Sequence, residues 1–179
     1  MTLLNNDVLR PAVFFDRDGV LNIDNGYVHR PEALRWSEGA IAAVRAVNQA
    51  GWLAFVVTNQ AGIGHGYHSE ADVIAFHAHM SERLAVEGAH IDEYLHCPFH
   101  PEAKLQAYRR ESEHRKPGPG MILDLMSRWP VDRAKSFLIG DRESDLEAAA
   151  RASIDAYHYQ GGNLQELVLQ GLRLRGADL

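Results

Sequence analysis

An apolar run, Ala12-Val13-Phe14-Phe15, breaks off into Asp16-Arg17-Asp18-Gly19, and this junction constrains the fold more than any other stretch. A short continuous apolar run bounded by polar and turn residues reads as a fully buried strand. Asp16 then stands where the strand leaves the core. Strand alternation points Asp16 and Asp18 to one side for as long as the backbone stays extended. Two carboxylates converging at a strand end repel each other unless a cation lies between them or one keeps its proton. Such a pair suits chemistry better than stability.

Other apolar runs end in the same manner. Trp52 to Val57 stops at Thr58-Asn59-Gln60, and Ser136 to Ile139 stops at Gly140-Asp141. Shorter strands are expected at Glu93 to His96 and Ile154 to Tyr159. Helical spacing fills the gaps: Glu38 to Ala50 with Gly51 as C-cap, Pro119 to about Arg128, Glu143 to Ala152, and Leu164 to Leu174. A further helix opens at Ser69, with Asp72 three positions on as a variant capping box, and runs to Leu84 or Val86. Gly62, Gly64 and Gly66 read as a flexible loop, and residues 1–11 as a short polar lead. From Cys97 to Pro119 no periodicity is evident, and a loop of that length inside a compact domain is uncommon unless it has a function.

Strands alternating with helices give an α/β fold, a doubly wound, Rossmann-like parallel sheet with helices on both faces. Right-handed crossovers bring every strand's C-terminal end to one edge, where ligands bind at the topological switch point. The polar clusters after strands one, two and four therefore converge. The 179 residues suffice for a single domain, 1–179, with a sizeable core. A net charge of −6 speaks against a nucleic-acid-binding face. The single cysteine, Cys97, permits no internal disulfide and suits a reducing compartment. No charged-then-apolar leader is evident, and no apolar stretch approaches the ~18 residues of a membrane span. A cytoplasmic monomer without nucleic-acid or membrane partners is the expectation.

Four pieces in order, Asp16-x-Asp18-Gly19-Val20, Thr58-Asn59-Gln60, Arg115-Lys116-Pro117, and Gly140-Asp141 with Asp145, resemble the haloacid-dehalogenase (HAD) superfamily phosphatases. The resemblance spans nearly the whole chain. More narrowly, Asp-Arg-Asp-Gly-Val-Leu-Asn, Gly-Tyr-Val, Thr-Asn-Gln-Ala-Gly-Ile, Cys-Pro-x-His-Pro and Arg-Lys-Pro-x-Pro-Gly-Met resemble one branch. That branch holds the D,D-heptose-1,7-bisphosphate phosphatases and the histidinol-phosphate phosphatases. A calcium loop is the weaker reading, because Val20 breaks its acidic alternation. A phospho-receiver domain would carry an adjacent acid pair and a phosphorylated Asp on a later strand.

The resemblance implies a three-layer HAD sandwich and a role for each motif. Asp16 matches the nucleophile that forms an aspartyl-phosphate, and Asp18 the general acid and base. Mg²⁺ would be held by Asp16, the Asp18 carbonyl and Asp141. Arg17, Thr58, Asn59, Arg115, Lys116 and Arg142 are candidates for gripping phosphate or substrate. Asp145 is a partner for metal-bound water or for Lys116, or else a first-turn carboxylate favoured by the helix dipole. The branch usually carries a structural zinc after strand three, with ligands at positions that here read Cys97, Phe99, Ser112 and His114. Only Cys97 and His114 keep metal-capable side chains, so zinc is expected to be absent.

The gaps between motifs leave no room for a separate cap domain. Selectivity then falls to three loops, Ile23 to Arg35, Ala61 to His68 and Cys97 to His114. The last carries Lys104, Arg109, Arg110 and His114, with Arg115 just beyond, a basic excess suited to a second phosphate. A small phosphorylated sugar is the expected substrate, a heptose 1,7-bisphosphate losing its C7 phosphate for lipopolysaccharide-core or capsule synthesis. Histidinol phosphate or another small phosphomonoester is the alternative, and a catalytically silent phosphosugar-binding protein the alternative from another class.

Overall fold

The computed structural model describes residues 8–179; the first seven residues of the expected polar lead lie outside them. Five strands form one parallel sheet: β1 (Ala12–Phe15), β2 (Leu53–Asn59), β3 (Glu93–Cys97), β4 (Phe137–Gly140) and β5 (Asp155–His158), in the spatial order β3-β2-β1-β4-β5. The helices are α1 (Ala40–Gln49), α2 (Ala61–Gly64), α3 (Glu70–Val86), α4 (Gly120–Arg128), α5 (Glu143–Arg151) and α6 (Leu164–Leu174). The chain lays β2 and β3 on one side of β1, then returns to lay β4 on the other. The switch point therefore lies between β1 and β4, where Asp16 and Asp141 emerge.

Alternation along the strands sorts their side chains into two cores. Val13, Phe15, Ala54, Val56, Phe137 and Ile139 pack with Val44 and Val47 of α1, Phe76 and Met80 of α3, and Val168 and Leu172 of α6. Ala12, Phe14, Leu53, Phe55, Val57 and Leu138 face Met121, Ile122 and Leu125 of α4 and Ala148 and Ala149 of α5. The result is the three-layer sandwich expected. Because β1 is buried on both faces, it needs the unbroken apolar run that its sequence carries.

Ser69 caps α3 as expected: its Oγ accepts from Asp72 N–H at 3.1 Å, and Asp72 Oδ2 accepts from Ser69 N–H at 2.7 Å. One expectation needs correction. Gly62 and Gly64 do not lie in a flexible loop, since residues 61–64 form a turn of helix, α2, and only Gly66 sits in the turn that follows, at φ +75°. A Cβ on Gly62 would lie 2.3 Å from His68 Cε1, and one on Gly64 would lie 2.9 Å from Ala103 Cβ. These glycines serve close packing rather than mobility. The segment after β3 is largely irregular, with a single 3₁₀ turn at Gln106–Tyr108, held by Phe99 against Tyr108 and by the Arg110 guanidinium 3.8 Å over the Phe99 ring.

Candidate active site

The C-terminal ends of β1, β2 and β4, with the segment bearing Lys116, enclose an open cavity of about 600 Å³ lined by Asp16, Asp18, Thr58, Lys116 and Asp145. Lys116 is its electrostatic centre. The buried Nζ donates to Asp16 Oδ1 at 2.8 Å and Val57 O at 2.8 Å, and lies 2.6 Å from Asp145 Oδ1. Burial alone would pull the ammonium down, and the flanking Asp16 and Asp145 carboxylates more than reverse this and raise it. Asp145 thus takes the Lys116-partner role offered for it, and its other oxygen accepts from Arg142 N–H at 3.1 Å to cap α5.

Asp16, Asp141 and Asp145 each bring a carboxylate oxygen within 4.8 Å of the others, the only such acidic group among the described residues. The Lys116 ammonium pairs with two of the three, Asp16 and Asp145, while Arg142 is the cation that acts on Asp141. Burial raises Asp16 to about 7 despite Lys116, with Asp145 adding to the rise; burial also raises Asp141. Asp141 Oδ1 is buried without a hydrogen-bond partner. A buried site short of positive charge, with an unpartnered carboxylate oxygen, fits a hard divalent cation. Asp145 has both oxygens engaged by protein, whereas Asp141 keeps one free. Gly19 makes room here: at φ +88°, a Cβ would stand 2.3 Å from Asp141 Oδ2.

Asp18 turns its carboxylate elsewhere. It accepts from Arg17 Nε at 3.1 Å and Arg17 Nη2 at 2.8 Å, from Asn22 Nδ2 at 3.0 Å, and from Gln60 Nε2 at 2.9 Å. Arg17 is therefore misplaced as a phosphate ligand. Its side chain is fully buried behind Asp18, with Nη2 donating to Val28 O at 2.6 Å and the guanidinium 4.7 Å over the Phe76 ring. The chain turns at Arg17 just past β1, so that Asp16 and Asp18 line the cavity while Arg17 points into the protein. Gln60 and Asn22 were not singled out as site residues in the sequence, although both sit inside the quoted motifs.

Of the other candidates, Thr58 lines the cavity and accepts from Gln60 Nε2 at 2.9 Å. Asn59 is a clasp rather than a free phosphate donor: Nδ2 donates to Lys116 O at 3.0 Å, and Oδ1 accepts from Lys116 N–H at 3.0 Å. Arg115 lines the cavity and donates to Phe99 O at 3.4 Å. Arg142 stands at the mouth, 3.2 Å from Asp24. The three expected loops all reach the wall, through Tyr27, His65 and His100. Of the basic excess, Arg115 alone lines the cavity: Arg109 donates to the carbonyls of Ala103 and Lys104, Arg110 covers Phe99, and Lys104 lies over Tyr67. Cys97 is buried, and burial pushes its thiol up, while half-exposed His114 lies 3.9 Å from Asp124.

A HAD-hydrolase-like family model matches residues 113–177. The D-glycero-β-D-manno-heptose-1,7-bisphosphate 7-phosphatase of Rhodopseudomonas palustris is 50% identical over 163 residues, 91% of either chain. The D-glycero-α-D-manno-heptose-1,7-bisphosphate 7-phosphatase of Burkholderia mallei is 45% identical over 80% of this chain and 76% of its own. Among solved structures, the D,D-heptose 1,7-bisphosphate phosphatase of B. bronchiseptica, complexed with magnesium and phosphate, superposes with a TM-score of 0.75 at 33% identity, covering 89% of this chain and 86% of that one. Likeness of this extent, on a sheet whose switch point gathers the acids, shows that the chain belongs to the haloacid-dehalogenase superfamily of phosphoric monoester hydrolases, on the heptose-bisphosphate phosphatase branch.

Proposed function

We propose that the protein removes the C7 phosphate of D-glycero-D-manno-heptose 1,7-bisphosphate, supplying heptose for lipopolysaccharide core or capsule. The activity named for the relatives supports the substrate. The observation that carries the chemistry is Lys116 held between Asp16 and Asp145 at the floor of an open cavity.

Asp16 attacks phosphorus through a carboxylate oxygen, the bond from phosphorus to the C7 oxygen breaks, and an aspartyl-phosphate forms. Lys116 and Thr58 steady the phosphoryl oxygens as charge spreads over them. Asp18 delivers its proton to the departing C7 oxygen, then takes one from the water that hydrolyses the acyl-phosphate. Mg²⁺, held by Asp16, Asp141 and the Asp18 carbonyl, would supply charge neutralisation at the phosphoryl group. Zinc has no part in this reading, since Phe99 and Ser112 replace two ligand positions.

The test is phosphate release with Mg²⁺ from heptose 1,7-bisphosphate and from histidinol phosphate, alongside metal analysis of the purified protein. The reading expects kcat/KM at least about a hundredfold higher for the bisphosphate and no stoichiometric zinc. Equal turnover of both substrates would remove the specificity claim.

A further inference from the structure

Behind Asp18 the protein carries a second, buried layer that the reaction as derived does not use. Arg17 has no exposed side-chain surface. Two edges of its guanidinium are taken by Asp18 and Val28 O, and the remaining nitrogen, Nη1, meets His77 Nε2 at 3.2 Å. Arginine can only donate. His77 Nε2 must therefore be the acceptor, which fixes the imidazole as neutral with its proton on Nδ1. The ring is held in place by stacking on Tyr94, with centroids 4.6 Å apart, and burial lowers His77 to about 2, so it stays neutral throughout the working range.

We propose that His77 and Arg17 are positioning residues that hold the Asp18 carboxylate in its proton-delivery orientation. This rests on the assignment of Asp18 as the general acid. The guanidinium is pinned on three sides, by the α3 imidazole, by the Val28 carbonyl of the loop before α1, and by the face of Phe76. A planar fork so fixed presents two donors to Asp18 in one plane, a constraint that a flexible ammonium would not impose. His77 acts through Arg17 and touches no reacting atom. Loss of its acceptor frees one edge of the fork and lets Asp18 drift, and a general acid out of place forfeits part of its ~10²–10⁴-fold contribution.

The leaving group gives the readout. An alkoxide such as the C7 oxygen needs a proton as the P–O bond breaks, whereas p-nitrophenolate leaves unaided. The experiment compares kcat/KM, which reports steps through leaving-group expulsion, for heptose 1,7-bisphosphate and p-nitrophenyl phosphate in the Mg²⁺-loaded enzyme. The variants are His77→Leu, His77→Gln, Arg17→Lys and Asp18→Asn. His77→Leu and Arg17→Lys are expected to lose about tenfold on the sugar phosphate and no more than about twofold on the aryl ester. His77→Gln, whose amide oxygen can accept from Arg17, is expected to recover most of the loss. Should His77→Leu fail to fold, Arg17→Lys and His77→Gln still report. Equal losses on both substrates, or no loss on either, would overturn the inference. If Asp18→Asn itself leaves the ratio of the two substrates unchanged, the assignment of Asp18 as the acid fails instead.

Discussion

At the scale of single residues, charge balance explains most of the site. Asp16, Asp141 and Asp145 crowd one corner, and the buried Lys116 ammonium sits between two of them, Asp16 and Asp145. Removing one partner from a buried ionic group costs ~3–5 kcal/mol, because the remaining charges stay desolvated. Lys116→Met should therefore lower unfolding free energy by about that amount and kcat/KM by at least ~100-fold. Adding Asp145→Asn should restore part of the stability and none of the activity, as read by urea unfolding and phosphate release. Gly19→Ala should be damaging for a separate reason, since the backbone there has φ +88° and the new methyl would press on Asp141 Oδ2. The expectation is a loss of ~1–3 kcal/mol and weaker Mg²⁺ binding, measured by metal titration of the folded variant.

At the scale of elements, the strand ends were the legible part. β1, β2 and β4 were readable because burial on both faces demands uninterrupted apolar runs, and the polar break that ends each run marks the sheet edge. Ser69 and Asp72 announced α3 by their chemistry. Gly62 and Gly64 were misleading, since the same residue type serves loose turns and close packing, and only the approach of His68 and Ala103 distinguishes them. Arg17 was misassigned because the motif shows which residues are adjacent but not which side of the strand end each one faces. His77 falls with Val73, Met80 and Leu84 on the apolar face of α3, which signals burial, but its partner Arg17 could not be read from the sequence. The buried imidazole also makes a pH prediction. Its value in the fold is about 2 against 6.5 in the open chain. Above 6.5 neither state holds the proton; below it the unfolded chain gains one that the native state refuses. Stability is thus fully present above that value and falls with pH below it, by up to ~1.4 kcal/mol per unit. Urea midpoints at pH 7.5 and pH 5.5 should drop further in the wild type than in His77→Gln.

At the scale of the whole molecule, a single parallel sheet with its switch point between β1 and β4 places Asp16, the proposed nucleophile, and Asp141, the proposed metal ligand, side by side. Lys116 joins them from a segment between β3 and α4, and Asn59 clasps its backbone from β2. Among the described residues the cavity walls are loops with no domain covering them, and the basic side chains of the loop after β3 are largely engaged within it, which leaves Arg115 and Arg142 as the cationic side chains nearest the mouth. The proposed function requires Asp16 to drive cleavage at the C7 phosphate alone. ³¹P NMR of heptose 1,7-bisphosphate incubated with Mg²⁺ and enzyme tests this directly. The C7 ester resonance is expected to disappear into inorganic phosphate, the C1 resonance to persist, and Asp16→Asn to leave both unchanged. Loss of the C1 phosphate, or turnover by Asp16→Asn at the wild-type rate, would contradict it.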